Sequence, residues 1–356
     1  MIFDSLHWFD FKSLIAIFFS VISNILIIRF WNYERLINFG LKRYKGTQRI
    51  HTKETPRMGG LIIFLSVLFY LFLSDKTESV QLIYLILVSF IPSFVFALKE
   101  DIYHNVSPLS RFLSLILGGI LLVVQYKGQW PTIEIPYLSI LLNHPLGILI
   151  FYPLAIAGIS NGFNLIDGVN GLCASAALAI LGCLLFLAHQ EKDAMLLVTI
   201  FILMSLIFIF LLFNYPLGRI FLGDLGAYYL GFSLASLVIF SYARHPYLPT
   251  TGAILILIYP ATEVIFSYLR RILAGMSPYK PDTEHLHNKL FFLFRPNPYF
   301  KKISNALVMP VMFCIWIFPL IIFPWVYEKP IFIIISIVLF LIFYTYVYFK
   351  IPKKIK

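Results

Sequence analysis

AMLLVTIFILMSLIFIFLLF, residues 194–213, decides the fold. These twenty residues carry no charge, and a helix needs about 20 apolar residues to cross the hydrocarbon core of a bilayer. Backbone groups in lipid must bond within their own segment, so the run is read as a membrane helix. Working outward, ten more runs of spanning length lie near 12–30, 57–74, 80–98, 109–126, 145–162, 171–189, 222–241, 251–269, 307–326 and 331–349. The expected fold is all-α and polytopic, with about eleven transmembrane helices. Composition agrees: the 356 residues are 60% hydrophobic and 13% charged, against about 25% charged in a soluble domain.

No internal repeat or low-complexity linker divides the chain, so 1–356 is read as one integral-membrane domain. The first apolar run is followed by basic residues and lacks a small-residue cleavage site, so it is expected to stay as a span. Cys173, Cys183 and Cys314 lie in apolar runs with no CxxC or Cys/His cluster. Neither a disulfide frame nor a zinc site is expected.

The net charge is +11, and its distribution orients the chain. Loops 29–57, 98–111, 161–170, 214–224 and 270–306, with the tail from Lys350, hold 22 of the 28 Lys and Arg. By the positive-inside rule this set faces the cytoplasm, with the N-terminus outside and the C-terminus inside. A basic membrane face attracts anionic lipids and anionic substrates. The charge is thereby accounted for, and no nucleic-acid partner is expected. The other loops are short, apart from 127–144, where Trp130, Pro131 and Pro136 suggest a small hairpin.

Every unusual polar cluster falls on the basic face. Thr55-Pro56-Arg57-Met58-Gly59-Gly60 opens the second span. Its plain reading is a capped, tightly packed helix start; the glycines also admit close approach of a ligand. Glu100-Asp101 ends the third span and precedes Val106-Ser107-Pro108-Leu109-Ser110-Arg111. Acids at a helix C-terminus oppose the macrodipole, so they are either a solvated loop start or the partners of a cation or substrate.

Asn161-Gly162-Phe163-Asn164-Leu165-Ile166-Asp167-Gly168-Val169-Asn170-Gly171-Leu172 is denser in Asn, Asp and Gly than a turn requires. Its amides and carboxylate suit a nucleobase edge and ribose hydroxyls. It lacks the alternating acids and later Glu of an EF-hand. Asn214 precedes Arg219-Ile220-Phe221-Leu222-Gly223-Asp224-Leu225-Gly226-Ala227. Asp224 suits the helix dipole, and equally Mg²⁺, which takes one or two protein carboxylates with substrate phosphates. Pro281-Asp282-Thr283-Glu284-His285-Leu286-His287 lies in the long loop 270–306. His-x-His alone is a zinc half-site with no third ligand; with Lys280 and Arg271 it suits phosphate.

Together these motifs resemble the polyprenyl-phosphate N-acetylhexosamine-1-phosphate transferase superfamily, which also contains the phospho-MurNAc-pentapeptide translocase of peptidoglycan synthesis. The resemblance runs from about residue 50 to 292 and includes the number of spans. It is closest to the branch that initiates O-antigen and related envelope glycans, through Glu100-Asp101, Val106-Ser107-Pro108 and Pro281 to His287. The translocase branch carries adjacent histidines instead. This chain departs at Glu100, where Asp is usual, at Asn170, where many members have Asp, and at Met276, where many have Arg.

The resemblance implies a Mg²⁺-dependent transfer, with Mn²⁺ as an alternative ion. HexNAc-1-phosphate passes from a UDP-sugar to undecaprenyl phosphate in the bacterial inner membrane, and UMP is released. It implies Asp224 as metal ligand and catalytic residue, with Glu100 and Asp101 positioning or deprotonating the lipid phosphate. Asn164, Asp167 and Asn170 would bind uridine. His285, His287 and Arg219 would hold phosphates or the sugar, and Thr55 and Arg57 would complete the substrate site. The expected partners are the UDP-sugar, the polyprenyl phosphate, the bilayer and a second copy of the chain. Glu263, an acid within a span beside Pro260, is costly there by about 2.5–3.5 kcal/mol and joins the substrate-binding candidates. It is also the feature that would fit the rival class, a secondary transporter with polar groups at the midplane.

Overall fold

The computed structural model describes residues 11–30, 55–133, 137–142, 144–276, 284–295, 297 and 303–352. Among these, regular structure is helical throughout. In chain order the helices are α1 (Phe11–Phe30), α2 (Gly59–Leu73), α3 (Glu78–Tyr103), α4 (Pro108–Gln125), α5 (Leu138–Leu142), α6 (Pro145–Ile166), α7 (Leu172–Gln190) and α8 (Ala194–Asn214). Then follow α9 (Gly223–Arg244), α10 (Thr251–Ile256), α11 (Ile258–Leu273), α12 (Leu286–Phe294), α13 (Ser304–Trp316), α14 (Phe318–Val326) and α15 (Pro330–Lys350).

Each of the eleven apolar runs is helical. Nine stretches are long and apolar enough to cross a membrane among the described residues, α13 and α14 counting as one. This is a multi-pass membrane protein. The two other runs differ for local reasons. Helix α2 is apolar but has 15 residues. The run near 251–269 is not one helix: it breaks at Leu257, just ahead of Pro260, giving α10 and α11. Proline has no N–H to continue the ladder and clashes with the preceding turn. The hairpin expected over 127–144 is corrected by the short helix α5, since Leu-rich sequence favours a helical turn and the flanking prolines cannot donate to a ladder.

Helix α9 is the centre of the bundle. Its whole membrane-length window is buried, and α6, α3, α2 and α7 surround it. Lipid is as apolar as leucine, so membrane helices gain by close packing, which small residues permit. Helix α9 supplies Gly223, Gly226, Ala227, Gly231, Ala235 and Ala243. Two of its serines turn inward on their own helix: Ser236 Oγ donates to Phe232 O at 2.7 Å and Ser241 Oγ to Leu237 O at 2.8 Å. Larger gaps are filled by aromatics, with Tyr229 5.3 Å from Phe64 and 5.2 Å from Phe90 between ring centroids.

Three backbone hydrogen bonds tie the start of α2 to the start of α9. Phe221 N donates to Pro56 O at 2.8 Å, Gly59 N to Phe221 O at 2.9 Å, and Gly60 N to Leu222 O at 2.8 Å. Two polar motifs more than 160 residues apart are thereby fixed side by side. At the opposite end of the bundle, Asp193 caps α8 through Leu196 N and pairs with Arg244 at 2.5 Å.

The crossing of Gly60 and Gly226 gives a test. A side chain added at Gly60 would lie 2.9 Å from Leu222 O and nearer still to the Gly226 backbone. Gly60→Val should cost about 1–3 kcal/mol from overpacking and lower the melting temperature in detergent. Gly158→Ala on α6 is the control, since nothing lies within 4 Å of the added carbon. Equal melting temperatures for the two variants would refute the close crossing.

Candidate active site

Five sequence-distant segments meet at one end of the bundle. The backbone ties at residues 56–60 and 221–222 carry Arg57 to α9. Its Nη2 donates to Asp224 Oδ1 at 2.8 Å, and its Nε is 3.3 Å from Asp101 Oδ1. Helix α3 delivers the acidic pair. Asp101, 4% exposed, accepts the backbone N–H of Asp224 at 2.9 Å and of Leu225 at 2.9 Å. These are orphan donors of the first turn of α9, which attract an anion for two reasons: unmet hydrogen bonds and the helix dipole. Gly223 makes the approach possible. Its φ of +79° is a left-handed conformation, and a Cβ there would fall 2.7 Å from Asp101 Oδ2.

Glu100 points elsewhere, since consecutive helical residues diverge by about 100°. Its Oε2 accepts from Val106 N at 2.8 Å, and Oε1 is 4.0 Å from Arg111 Nη1. Arg111, in the first turn of α4, also pairs with Asp224 Oδ2. Both oxygens of Asp224 are therefore held by guanidinium groups. At the end of α3, His104 adopts φ 52°. Burial, with the nearby Arg57 charge, holds its imidazole below the ordinary histidine range.

The Asn/Asp/Gly run is the turn between α6 and α7. Asn214 holds it: Gly171 N donates to Asn214 Oδ1 at 2.6 Å, and Asn214 Nδ2 donates to Ile220 O at 2.8 Å. Asn170 is buried within the turn. Its N–H donates to Asn305 Oδ1 at 2.8 Å and its Nδ2 to Pro216 O at 3.1 Å. Asn164 sits in the last turn of α6, and Asp167 caps that helix. The Asp167 carboxyl is pushed well above the usual carboxylate range, first by burial, then by Asp224 and Asp101 against the pull of Arg57.

His287 packs against Gly168, where any side chain would collide with its ring. Its ring lies parallel to that of His285, 5.6 Å away. Burial pushes the His287 imidazole down to about 4, with His285 acting in the same direction and Glu263 against both. His285 Nδ1 lies 3.2 Å from Glu263 Oε2, and Tyr344 OH donates to Glu263 Oε1 at 2.7 Å.

The structure thus brings Arg57, Glu100, Asp101, Asp167 and Asp224 together, with His285 and His287 on the far side of the turn and Glu263 behind them. Thr55 adjoins the cluster at half-buried depth. Arg219 stands apart: its side chain is exposed, and its backbone N donates to Phe213 O at 3.2 Å. Lys280 and residues 281–283 lie outside the described residues. Arg111, His104, Asn305 and Tyr344 were not singled out as site residues from sequence. Arg111 carried a usable signal, a charge one turn into an apolar helix after Ser-Pro; the others carried none. Among the described residues no group of three or more His, Cys, Asp or Glu could hold a metal ion by itself.

Residues 82–242 match the family described as Glycosyl transferase family 4. A probable undecaprenyl-phosphate N-acetylglucosaminyl 1-phosphate transferase of Bacillus subtilis (strain 168) is 29% identical over 258 residues, covering 71% of this chain and 70% of its own. The undecaprenyl-phosphate alpha-N-acetylglucosaminyl 1-phosphate transferase of Thermotoga maritima is 28% identical, over 68% of this chain and 70% of its own. A phospho-N-acetylmuramoyl-pentapeptide-transferase of Dictyoglomus thermophilum is 31% identical, over 60% of this chain and 69% of its own.

The raised Asp167 has a consequence for stability. An acid whose folded pKa lies above its unfolded value favours folding at low pH, and that contribution is lost as pH rises through the folded pKa. Asp167→Asn mimics the protonated acid at every pH. Its melting temperature should exceed that of the native protein at pH 8, with the gap closing as pH falls toward the ordinary aspartate value of 3.8. A gap that widens on acidification would show that the carboxylate is stabilised in the folded protein.

Proposed function

The chain belongs to glycosyl transferase family 4, the polyprenyl-phosphate N-acetylhexosamine-1-phosphate transferases, and on that premise we propose that it moves HexNAc-1-phosphate from a UDP-sugar to undecaprenyl phosphate. The product initiates an envelope glycan such as O-antigen, at the cytoplasmic side of the bacterial inner membrane. The observation that carries the reading is the pairing of Asp224 with Arg57 and Arg111 at the N-terminal turn of α9, beside Asp101. Arginine forks match phosphate oxygens, and phosphoryl transfer depends on positioning and charge neutralisation more than on covalent protein chemistry.

An oxygen of the lipid phosphate attacks the β-phosphorus of the donor. The bond from that phosphorus to the bridging oxygen breaks, and UMP leaves with the electron pair. Arg57 and Arg111 turn from Asp224 to the diphosphate as it arrives. Asp101 has both oxygens engaged by α9, so it positions Asp224 and Arg57 rather than taking a proton. The lipid phosphate needs little help, with a second pKa of roughly 6. The turn at 164–170 reads uridine. His285 and His287, packed against that turn, face the phosphates or the sugar.

Mg²⁺ suits the donor set. Glu100, Asp101 and Asp224 outnumber the two arginines, and Asp224 is a hard-oxygen ligand of the kind that shares the ion with substrate phosphates. When bound there it would neutralise charge on the leaving phosphate. The likeness to a phospho-N-acetylmuramoyl-pentapeptide-transferase at 31% identity keeps a second donor open. UDP-MurNAc-pentapeptide therefore belongs in the donor panel.

Purified protein given undecaprenyl phosphate and radiolabelled UDP-HexNAc should yield labelled lipid and UMP. Asp224→Asn should lower kcat by about 10²–10³-fold, as losing one transition-state partner does, at any Mg²⁺ concentration. Restoration by excess Mg²⁺ would make Asp224 a tuning residue.

Orientation is tested on α3. Thr77 and Ser107 are exposed and flank its two ends. Thr77→Cys should react with impermeant maleimide only from outside, and Ser107→Cys only from the cytoplasm. Outside labelling of Ser107→Cys would reverse the topology.

A further inference from the structure

Helix α15, the last of the described helices, ends against the histidine segment. Lys289 Nζ donates to Tyr348 O at 2.6 Å and lies 4.0 Å from the centre of the Tyr348 ring. Tyr348 OH donates to Glu284 O at 3.0 Å. One turn earlier on the same face, Tyr344 OH donates to Glu263 Oε1 at 2.7 Å, and the other oxygen of that carboxylate faces His285 Nδ1 at 3.2 Å. Glu263 and Tyr344 are 2% and 1% exposed, so water does not replace these contacts.

We propose that Tyr344 is a positioning residue for the transfer reaction: through Glu263 it holds His285 with the proton on Nδ1, leaving Nε2 for the substrate. The proposal rests on the donor-binding role given to His285 above. The chemistry is directional. An ionised carboxylate only accepts hydrogen bonds, so both of its partners must donate. A tyrosine hydroxyl on one oxygen and an imidazole N–H on the other satisfy that rule with one tautomer of His285. The hydrogen bond made by one ring nitrogen decides what the other can do. The Tyr344 hydroxyl also fixes the carboxylate rotamer, so the ring has one direction to follow. The ties from Lys289 and Tyr348 set the register of α15 on this segment, which keeps Tyr344 opposite Glu263.

The test uses the full chain in nanodiscs, labelled with ¹⁵N-histidine, with the His285 signals assigned by their loss in His285→Gln. In the native protein His285 should show an Nδ1–H tautomer. Tyr344→Phe should give mixed tautomers. With UDP-GlcNAc and undecaprenyl phosphate, its kcat should fall about tenfold, the lower end of what losing a histidine's outer partner costs. KM for both substrates should stay within about twofold, since His285 is one of several donor contacts and its Nε2 acts mainly on charge that develops in the transition state. An unchanged tautomer in Tyr344→Phe, or an unchanged kcat, would overturn the proposal. So would an Nε2–H tautomer in the native protein, a measurement that needs no variant to fold. A native protein inactive on every UDP-HexNAc would sink the activity reading alone, and the tautomer comparison would still decide whether Tyr344 sets His285.

Discussion

Asp101 is the joint on which the site depends. One carboxylate at the end of α3 takes two backbone N–H groups from the first turn of α9 and faces Arg57, two residues ahead of α2. Hydrogen bonds to a charged group contribute about 1.5–3 kcal/mol each. Breaking a buried ion pair costs more, about 3–5 kcal/mol, because it leaves a charge unpaired. Three helices therefore share one anchor, and the anchor sits directly beside Asp224. A carboxylate this buried is expensive in isolation. It is tolerated because α9 presents orphan donors that lipid could not satisfy.

The same logic explains the neighbouring charges. Asp224 without Arg57 and Arg111 would be a second buried anion next to the first. Two guanidinium groups make the cluster tolerable before any substrate arrives. On the proposed function, an incoming diphosphate would offer the arginines an equivalent anionic partner, so the exchange would lose little pairing energy. It would also free an Asp224 oxygen beside the phosphates, where the proposed cation would be shared.

Much of this was legible in the sequence, for a physical reason. Polar residues in a chain this apolar are conspicuous, and Arg57, Glu100, Asp101, Asp167 and Asp224 stand out against runs of Leu, Ile and Phe. Their grouping also followed from counting spans, because alternate loops must share a face. What each acid does was not legible. Asp101 and Glu100 are adjacent letters, yet one caps α9 and the other receives Val106 N and Arg111. That split depends on the rotation of α3 relative to α9. Asn305 and Tyr344 were invisible because each matters through one contact with a distant segment. A tyrosine among the aromatics of α15 has no local mark. The break at Leu257 was missed because hydropathy is blind to backbone geometry.

The site's two halves are joined through the turn at 161–171, and this fixes how precisely it must be built. The acid and arginine half is anchored by α3 and α9, near the bundle axis. The histidine half rests on α11, α12 and α15, with His287 pressed on Gly168. Asn214 reaches Gly171 N and Ile220 O, so it ties the turn to the segment that leads into Asp224. Asn305 holds the turn from the other side, through Asn170 N. On the proposed function a substrate would span both halves and need their separation set within fractions of an ångström, because misplacement by about 1 Å can cost 10²-fold in rate. Loops alone would not hold that distance. The two asparagines transfer it to helices α8 and α13, whose side chains are locked by packing. Helix α13 belongs to the C-terminal part of the chain, beyond the matched family segment 82–242. The helices within 304–350 thus share in fixing the turn and the histidine segment against the acid and arginine cluster.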